Sequence, residues 1–418
     1  MSSFLRQLVP FLKGPATPRS FPTTGFQLLP RHVAVEEETL PDYLAARYYP
    51  ALIGQVLESR YQLVGKLGFG TTSTVWLAKD LKLCPIFSKH SHVSIKILIR
   101  SSSLGSRSRV ELDANSRISQ GPKNHPGRDA LRPLLNSFII TGPDGEHQCL
   151  VHPPLWENMA TFLSRNPIGR LPAPVLAIVL QRVFQALDYL HNHCHLVHTD
   201  VKADNIMFGI GDDKTLYDFE EAEVASPTPR KELGDGRVIY VSRTIDRPSK
   251  IGPPVLCDLG SAFPGDTPRM EDVQPDQYRS PEMILGIPWS YRIDVWSVGC
   301  MIWDLFEAKM LFRGGDPEPN TYRGRAHLAE IISVLGFPKL DLIQRGDYRS
   351  KFFADTGEWN AGIELRPPQS LETLETTLQG EDKELFLKMV RAMLQWAAED
   401  RKTPSELAND PWIVKQLS

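Results

Sequence analysis

The chain has 418 residues, 41% of them hydrophobic and 23% charged, the profile of a globular protein of two to three domains or one large two-lobed one. A formal net charge of −3 gives no general drive toward nucleic acid or an anionic membrane surface, and no apolar run approaches the roughly 18–20 residues that span a bilayer. Cys84, Cys149, Cys194, Cys257 and Cys300 are scattered without a C-x-x-C pair, which argues against a disulfide framework and for a reducing compartment.

Residues 1–35 carry Arg6, Lys13, Arg19 and Arg31 and no acid before Glu36. An acid-poor, Arg-bearing start has the composition of a mitochondrial presequence, but Pro10, Pro15, Pro18 and Pro22 interrupt any long amphipathic helix. Residues 1–38 are therefore read as a flexible polar tail. The cytoplasm or nucleus is the expected location, with the mitochondrion as the other reading. Residues 39–60 follow as an ordered lead-in strapped along the next elements. Tyr61–Asp80 alternates apolar and polar residues on both sides of a glycine turn, as the two strands of a hairpin do. Gly68 and Gly70 within it lack a Cβ, so phosphate oxygens can come close to the backbone. Val93–Lys96, V-S-I-K, reads as another strand, and Ser101–Ser108 as a loose Ser- and Arg-rich link. A helix containing R-V-E-L-D comes next, and Phe138–Leu150 supplies two strand-like runs around the turn G-P-D-G.

Pro174–His191 places Leu176, Val179, Leu180, Val183, Leu187 and Leu190 at helical spacing, with Pro174 suited to a first turn. Its end, H-N-H-C-H-L-V-H, has metal-ligand chemistry, but a helix end whose histidines suit the dipole is the simpler reading. His198–Asn205, H-T-D-V-K-A-D-N, then brings together Asp200, Lys202 and Asn205. Phosphoryl transfer needs these types: a carboxylate to take a hydroxyl proton, an ammonium to offset phosphoryl charge, an amide oxygen to help hold Mg²⁺. A further metal carboxylate has two candidates. Asp218, in L-Y-D-F-E-E, lacks a following glycine and stands among acids. Asp258, in V-L-C-D-L-G, has an apolar strand before it, Gly260 after it and Y-R-S-P-E (Tyr278–Glu282) downstream. Asp258 is preferred, which makes about 209–253 a polar, turn-rich insertion. Asp294 is expected to open a buried helix and cap the loop backbone, and Arg401 to pair with Glu282.

In this order the motifs resemble those of the protein kinases, from about Tyr61 to Trp412. The resemblance implies an α+β, two-lobed protein-kinase fold. Its small β-rich N-lobe would cover 61–155, and its larger helical C-lobe 156–414, with the insertion at about 209–253. It implies ATP and Mg²⁺. It assigns Asp200, Lys202, Lys96 and Glu111 to the catalytic machinery, with Lys96 on the phosphates and Glu111 holding it; Asp113, on a shorter arm, is the fallback. Leu67, Gly68, Gly70 and Val75 would enclose the nucleotide, His152 would be the gatekeeper, and the Pro153 carbonyl and Leu155 N–H would meet adenine. Asn205 and Asp258 would be the metal ligands. Among kinases the chain is similar to the SR-protein kinases, especially their short fungal relatives. Thr199 gives H-T-D where most kinases have Arg, and the insertion falls where that family carries a spacer. Q-Y-R-S-P-E, H-L-A-E-I-I-S-V-L-G, S-K-F-F and D-P-W run in its order. The implied reaction is transfer of the ATP γ-phosphate to serine or threonine of proteins, in an Arg-rich context, with no nucleic-acid partner.

Departures define the alternatives. Ser73 in the place of a third glycine, the short Lys96–Glu111 spacing and His152 favour a pseudokinase scaffold; Lys96, Asp200, Lys202, Asn205 and Asp258 stand against it. The full activation segment disfavours a small-molecule kinase. Arg323 and Arg325 stand where SR-protein kinases are acidic, which speaks against docking of Arg-Ser repeats. Asp266, Glu271, Asp272 and Asp276 of the activation segment are expected to favour basic residues beside the acceptor.

Overall fold

The computed structural model describes residues 16–82, 91–100, 104–318 and 320–418, without the side chains of 104–108. Arg6, Lys13 and Cys84 thus lie outside the described residues, as do 101–103 of the expected loose link. The chain divides into two compact units, one from Met1–Arg109, Arg132–Glu157 and Phe208–Pro253, the other from Val110–Leu131, Asn158–Met207 and Pro254–Ser418.

A six-stranded sheet organises the first unit. Its strands are β1 (Val56–Leu57), β2 (Tyr61–Gly70), β3 (Ser73–Asp80), β4 (His92–Leu98), β5 (Asn136–Gly142) and β6 (Gly145–His152), in the order β1-β2-β3-β4-β6-β5. Neighbouring strands are antiparallel. Side chains alternate between the faces. On one face Trp76, Val93, Ile95, Ile97 and Val151 join a buried cluster with Ala51, Leu57 and Tyr240. On the other, the register sets Gly68, Val75, Lys96 and Leu150 in one cross-strand row. The pattern V-S-I-K therefore resolves into Val93 and Ile95 packed in the core, and Ser94 and Lys96 on the opposite face.

The insertion differs from the turn-rich segment its sequence suggests, and it belongs to this unit. It holds a helix, Lys214–Ala225, and a hairpin of Arg230–Glu232 with Val238–Tyr240. Leu216 and Phe219 pack on Val64 and Leu77 of the sheet, with Ile210 and Ile245. At Gly65 a Cβ would stand 2.8 Å from the Phe219 ring, so only glycine lets the helix settle this close. Glu220 is buried, with Lys79 Nζ at 3.1 Å and His92 Nε2 at 3.0 Å. Burial alone would raise its carboxyl; the His92 and Lys79 hydrogen bonds outweigh that and hold it down at about 2.

The tail expected over 1–38 is fastened from residue 16 onward. Arg19 reaches Glu221 at 2.5 and 2.8 Å, Arg31 Nε donates to the Glu232 carbonyl at 3.1 Å, and the Arg230 guanidinium lies 3.8 Å from the centre of the Phe26 ring. Glu36 and Glu37 enclose the ammonium of fully buried Lys66, at the base of the glycine turn. The loose link is shorter than expected, because a helix spans Leu104–Gln120.

The second unit is helical. Ala173–His193 buries Leu176, Val179, Leu180, Val183, Leu187 and Leu190. This helix is long and apolar enough to cross a bilayer by length and composition only; most of its apolar side chains are core residues, and Ile178 is exposed. Arg292–Phe306 is buried almost all round. Arg401 meets Glu282 through two bonds of 2.6 and 2.7 Å, both side chains buried.

Candidate active site

Asp294 builds the loop from beneath. Its Oδ2 accepts the His198 N–H at 2.8 Å and His191 Nε2 at 2.9 Å, and its Oδ1 accepts the Thr199 N–H at 2.8 Å. Thr199 has φ +68°, a left-handed backbone costly for a β-branched residue. The Asp294 bond and a 2.7 Å bond from Thr199 Oγ1 to the Ser261 carbonyl hold it there. His198 is fully buried. Its Nδ1 accepts the Asp200 N–H at 3.2 Å and its Nε2 donates to the Cys257 carbonyl at 3.0 Å, which fixes the Nε2–H tautomer.

Asp200 Oδ2 receives Asn205 Nδ2 at 2.9 Å and Lys202 Nζ at 3.0 Å. Asn205 Nδ2 also donates to the Asp200 carbonyl at 2.8 Å, so Asn205 Oδ1 remains as the amide's acceptor. The Cys257 N–H donates to the Asn205 carbonyl at 2.8 Å, which brings Asp258 next to this cluster. Asp258 has φ +63°, and its Oδ1 accepts the Gly260 N–H at 3.2 Å. A Cβ at Gly260 would stand 3.1 Å from Asp258 Oδ1 and 3.7 Å from Glu111 Oε2. Buried Glu111 thus presents its carboxylate to the Asp258–Gly260 turn, while Asp113 is exposed. Asp218 lies elsewhere, exposed on the insertion helix and paired with Lys214 one turn away.

In the first unit, a Cβ at Gly68 or Gly70 would meet nothing within 4 Å, so the backbone there faces open space. Val75 lies opposite both Gly68 and Lys96. Leu67 is half-buried and packs on the cluster beneath the insertion helix. Leu155 is buried. The Pro153 carbonyl already accepts from Arg132, Nη2 at 3.0 Å and Nε at 3.3 Å, and His152 Nδ1 bonds the Pro133 carbonyl at 2.9 Å. Nothing in the sequence R-P-L-L around Arg132 signals that role.

Two of the histidines that suggested a metal are occupied by Asp294 and the Cys257 carbonyl, and no group of three or more His, Cys, Asp or Glu suited to a metal occurs among the described residues. Asn205 and Asp258 instead offer two oxygen donors of the kind Mg²⁺ takes when phosphates and water complete its shell. The activation-segment acids are largely committed. Glu271 pairs with Arg269, Asp272 and Asp276 with Arg279, and Asp266 with His195.

The protein kinase domain model matches residues 245–413. A serine/threonine protein kinase of Aspergillus fumigatus is 38% identical, with all of both chains covered. Serine/threonine-protein kinase SRPK of Physarum polycephalum is 29% identical over 91% of this chain and 92% of that one. SRSF protein kinase 3 of Mus musculus is 30% identical over 90% of each. A solved kinase domain shares the fold with a TM-score of 0.65 at 21% identity, over 88% of this chain and 98% of its own. The chain belongs to the serine/threonine protein kinases, enzymes that transfer phosphate from ATP with Mg²⁺ and act on proteins.

Proposed function

We propose that Asp200 takes the proton of the attacking serine or threonine hydroxyl. Lys202 and Asn205 fix its Oδ2, which leaves Oδ1 to face the acceptor. Lys202 offsets charge on the phosphoryl oxygens. Lys96 pairs with the nucleotide phosphates and Glu111 orients it; Leu67, Gly68, Gly70 and Val75 enclose the nucleotide, and Pro153 and Leu155 present backbone to the base. Asn205 Oδ1 and the Asp258 carboxylate would hold Mg²⁺, which when bound neutralises charge between the phosphates. The carrying observation is the stitching of two segments. His198 to Cys257, Cys257 to Asn205 and Thr199 to Ser261 set the proposed base and the proposed metal ligands in one rigid cluster.

Transfer of labelled phosphate from ATP to a degenerate peptide array, with and without Mg²⁺, tests these roles. Asp200→Asn should lower kcat by about 10²–10⁴-fold, the usual worth of a positioned acid–base group. A wild type that transfers nothing with Mg²⁺ or Mn²⁺ would favour the scaffold instead.

For substrate context, we infer a weak local preference for arginine or lysine beside the acceptor and no docking of long Arg-Ser tracts. Arg325 lies on Asp316 at 2.5 Å and Glu318 at 2.7 Å, so an internal arginine already uses these carboxylates. The adjoining cavity of about 550 Å³ mixes Glu318 and Glu364 with Arg366, which is paired to Glu330.

A further inference from the structure

We propose that Arg132 tunes the recognition of the purine base, acting through the Pro153 carbonyl. This rests on the reading above that the Pro153–Leu155 segment meets adenine. Pro153 and Pro154 carry no N–H, so polar recognition along this segment falls to the carbonyls and the single Leu155 N–H. The Pro153 carbonyl is engaged by both Nε and Nη2 of the Arg132 guanidinium, at 3.3 and 3.0 Å. The contact is reciprocal. His152 returns a 2.9 Å bond to the carbonyl of Pro133, so the pair Arg132–Pro133 is laced to the pair His152–Pro153. A carbonyl only accepts, hence His152 Nδ1 carries the hydrogen. His152 is buried and the guanidinium half-buried, which keeps the lacing away from bulk water.

A carbonyl oxygen has two lone pairs. With a cationic fork on one of them, the oxygen is a poorer acceptor for a second donor such as the 6-amino group of adenine. It also repels a 6-oxo group less, so adenine and hypoxanthine bases become closer in affinity. The histidine in the gatekeeper position and the two prolines after it become parts of one device. Arg132 is a positioning residue in it, without contact to the reacting atoms.

The test is nucleotide binding to the full-length chain with Mg²⁺, measured by calorimetry with ATP, purine riboside triphosphate (which lacks the 6-amino group) and ITP. In the wild type, loss of the 6-amino group should weaken binding no more than about threefold, within the lower part of the range of one neutral hydrogen bond. Arg132→Met should widen that ratio by about three- to tenfold, and Arg132→Lys, which keeps a cation, should restore it toward wild type. A wild-type penalty of tenfold or more overturns the proposal, as does a ratio unchanged in Arg132→Met. The wild-type comparison decides even if the variant does not fold. A chain that binds ATP yet shows either of those results leaves the adenine-segment reading standing, whereas a chain that binds none of the three nucleotides removes that reading and the proposal together.

Discussion

Asp258 and Asp218 carry the same side chain in opposite settings. Asp258 is bent into a left-handed backbone beside Gly260, where any side chain would crowd its carboxylate. Asp218 projects from an exposed helix toward Lys214. Asp258→Ala should therefore abolish Mg²⁺-dependent turnover, while Asp218→Ala should retain most of it; steady-state kinetics over a Mg²⁺ titration will show which, and the reverse pattern would mean the metal ligand is misassigned. A second residue reports on pH. Asp304 receives the Tyr278 hydroxyl, and burial raises its carboxyl to about 6 in spite of that bond. The folded state thus holds this proton more tightly than the unfolded chain, at an ordinary value of 3.8. Its stabilising share is complete below that value and is lost as pH rises through about 6. Asp304→Asn should be more stable than wild type at pH 8, by up to about 3 kcal/mol, and equal to it near pH 3. Urea midpoints at the two pH values measure the difference; equal differences at both would show that Asp304 does not titrate on unfolding.

At the scale of elements, the insertion shows what a single sequence conceals. The hairpin of β2 and β3 was legible from alternation, and the helix Ala173–His193 from its apolar spacing. Leu216, Phe219, Glu220 and Glu223 also repeat at helical spacing, but the acids make the stripe look solvated. They are buried because their partners come from far along the chain: Lys79 and His92 for Glu220, Arg243 for Glu223. Long-range pairing of this kind leaves no local trace. The site was more legible, since Asp200, Lys202 and Asn205 lie within one loop, whereas Arg132 acts on a carbonyl, which no side-chain pattern reveals. Phe219→Ala should open a cavity under the insertion helix and cost about 3–5 kcal/mol. Hydrogen exchange should then accelerate in β3 and β4 while the helix Arg292–Phe306 keeps its protection. Equal loss of protection in both units would sink the assignment of the insertion to the first.

Among the described residues of the whole molecule, many acids are already taken up in ion pairs, and this bears on the substrate. The sequence offers four acids on the activation segment, but a substrate arginine must compete with Arg269 for Glu271 and with Arg279 for Asp272 and Asp276. Asp266 is shared with His195 and the Tyr291 hydroxyl. Asp204, exposed next to Asn205 in the catalytic loop, is the carboxylate expected to meet a basic side chain near the acceptor. One exposed pair contributes roughly 0.2–1 kcal/mol, so basic flanks should be enriched only a few-fold on a peptide array. That enrichment should shrink in Asp204→Asn and at high ionic strength, where exposed charges are screened. Further out, Arg325 occupies Asp316 and Glu318, and Arg323 is exposed beside it. A long Arg-Ser repeat is then expected to find no net attraction there, because two arginines offset the two carboxylates. In a single-turnover time course chased with unlabelled substrate, such a repeat should be released after few phosphorylations, as a ladder of partly modified products. Full phosphorylation of many serines in one encounter would overturn the claim about docking, and enrichment of acidic flanks on the array would overturn the claim about local context, so the two halves fail separately.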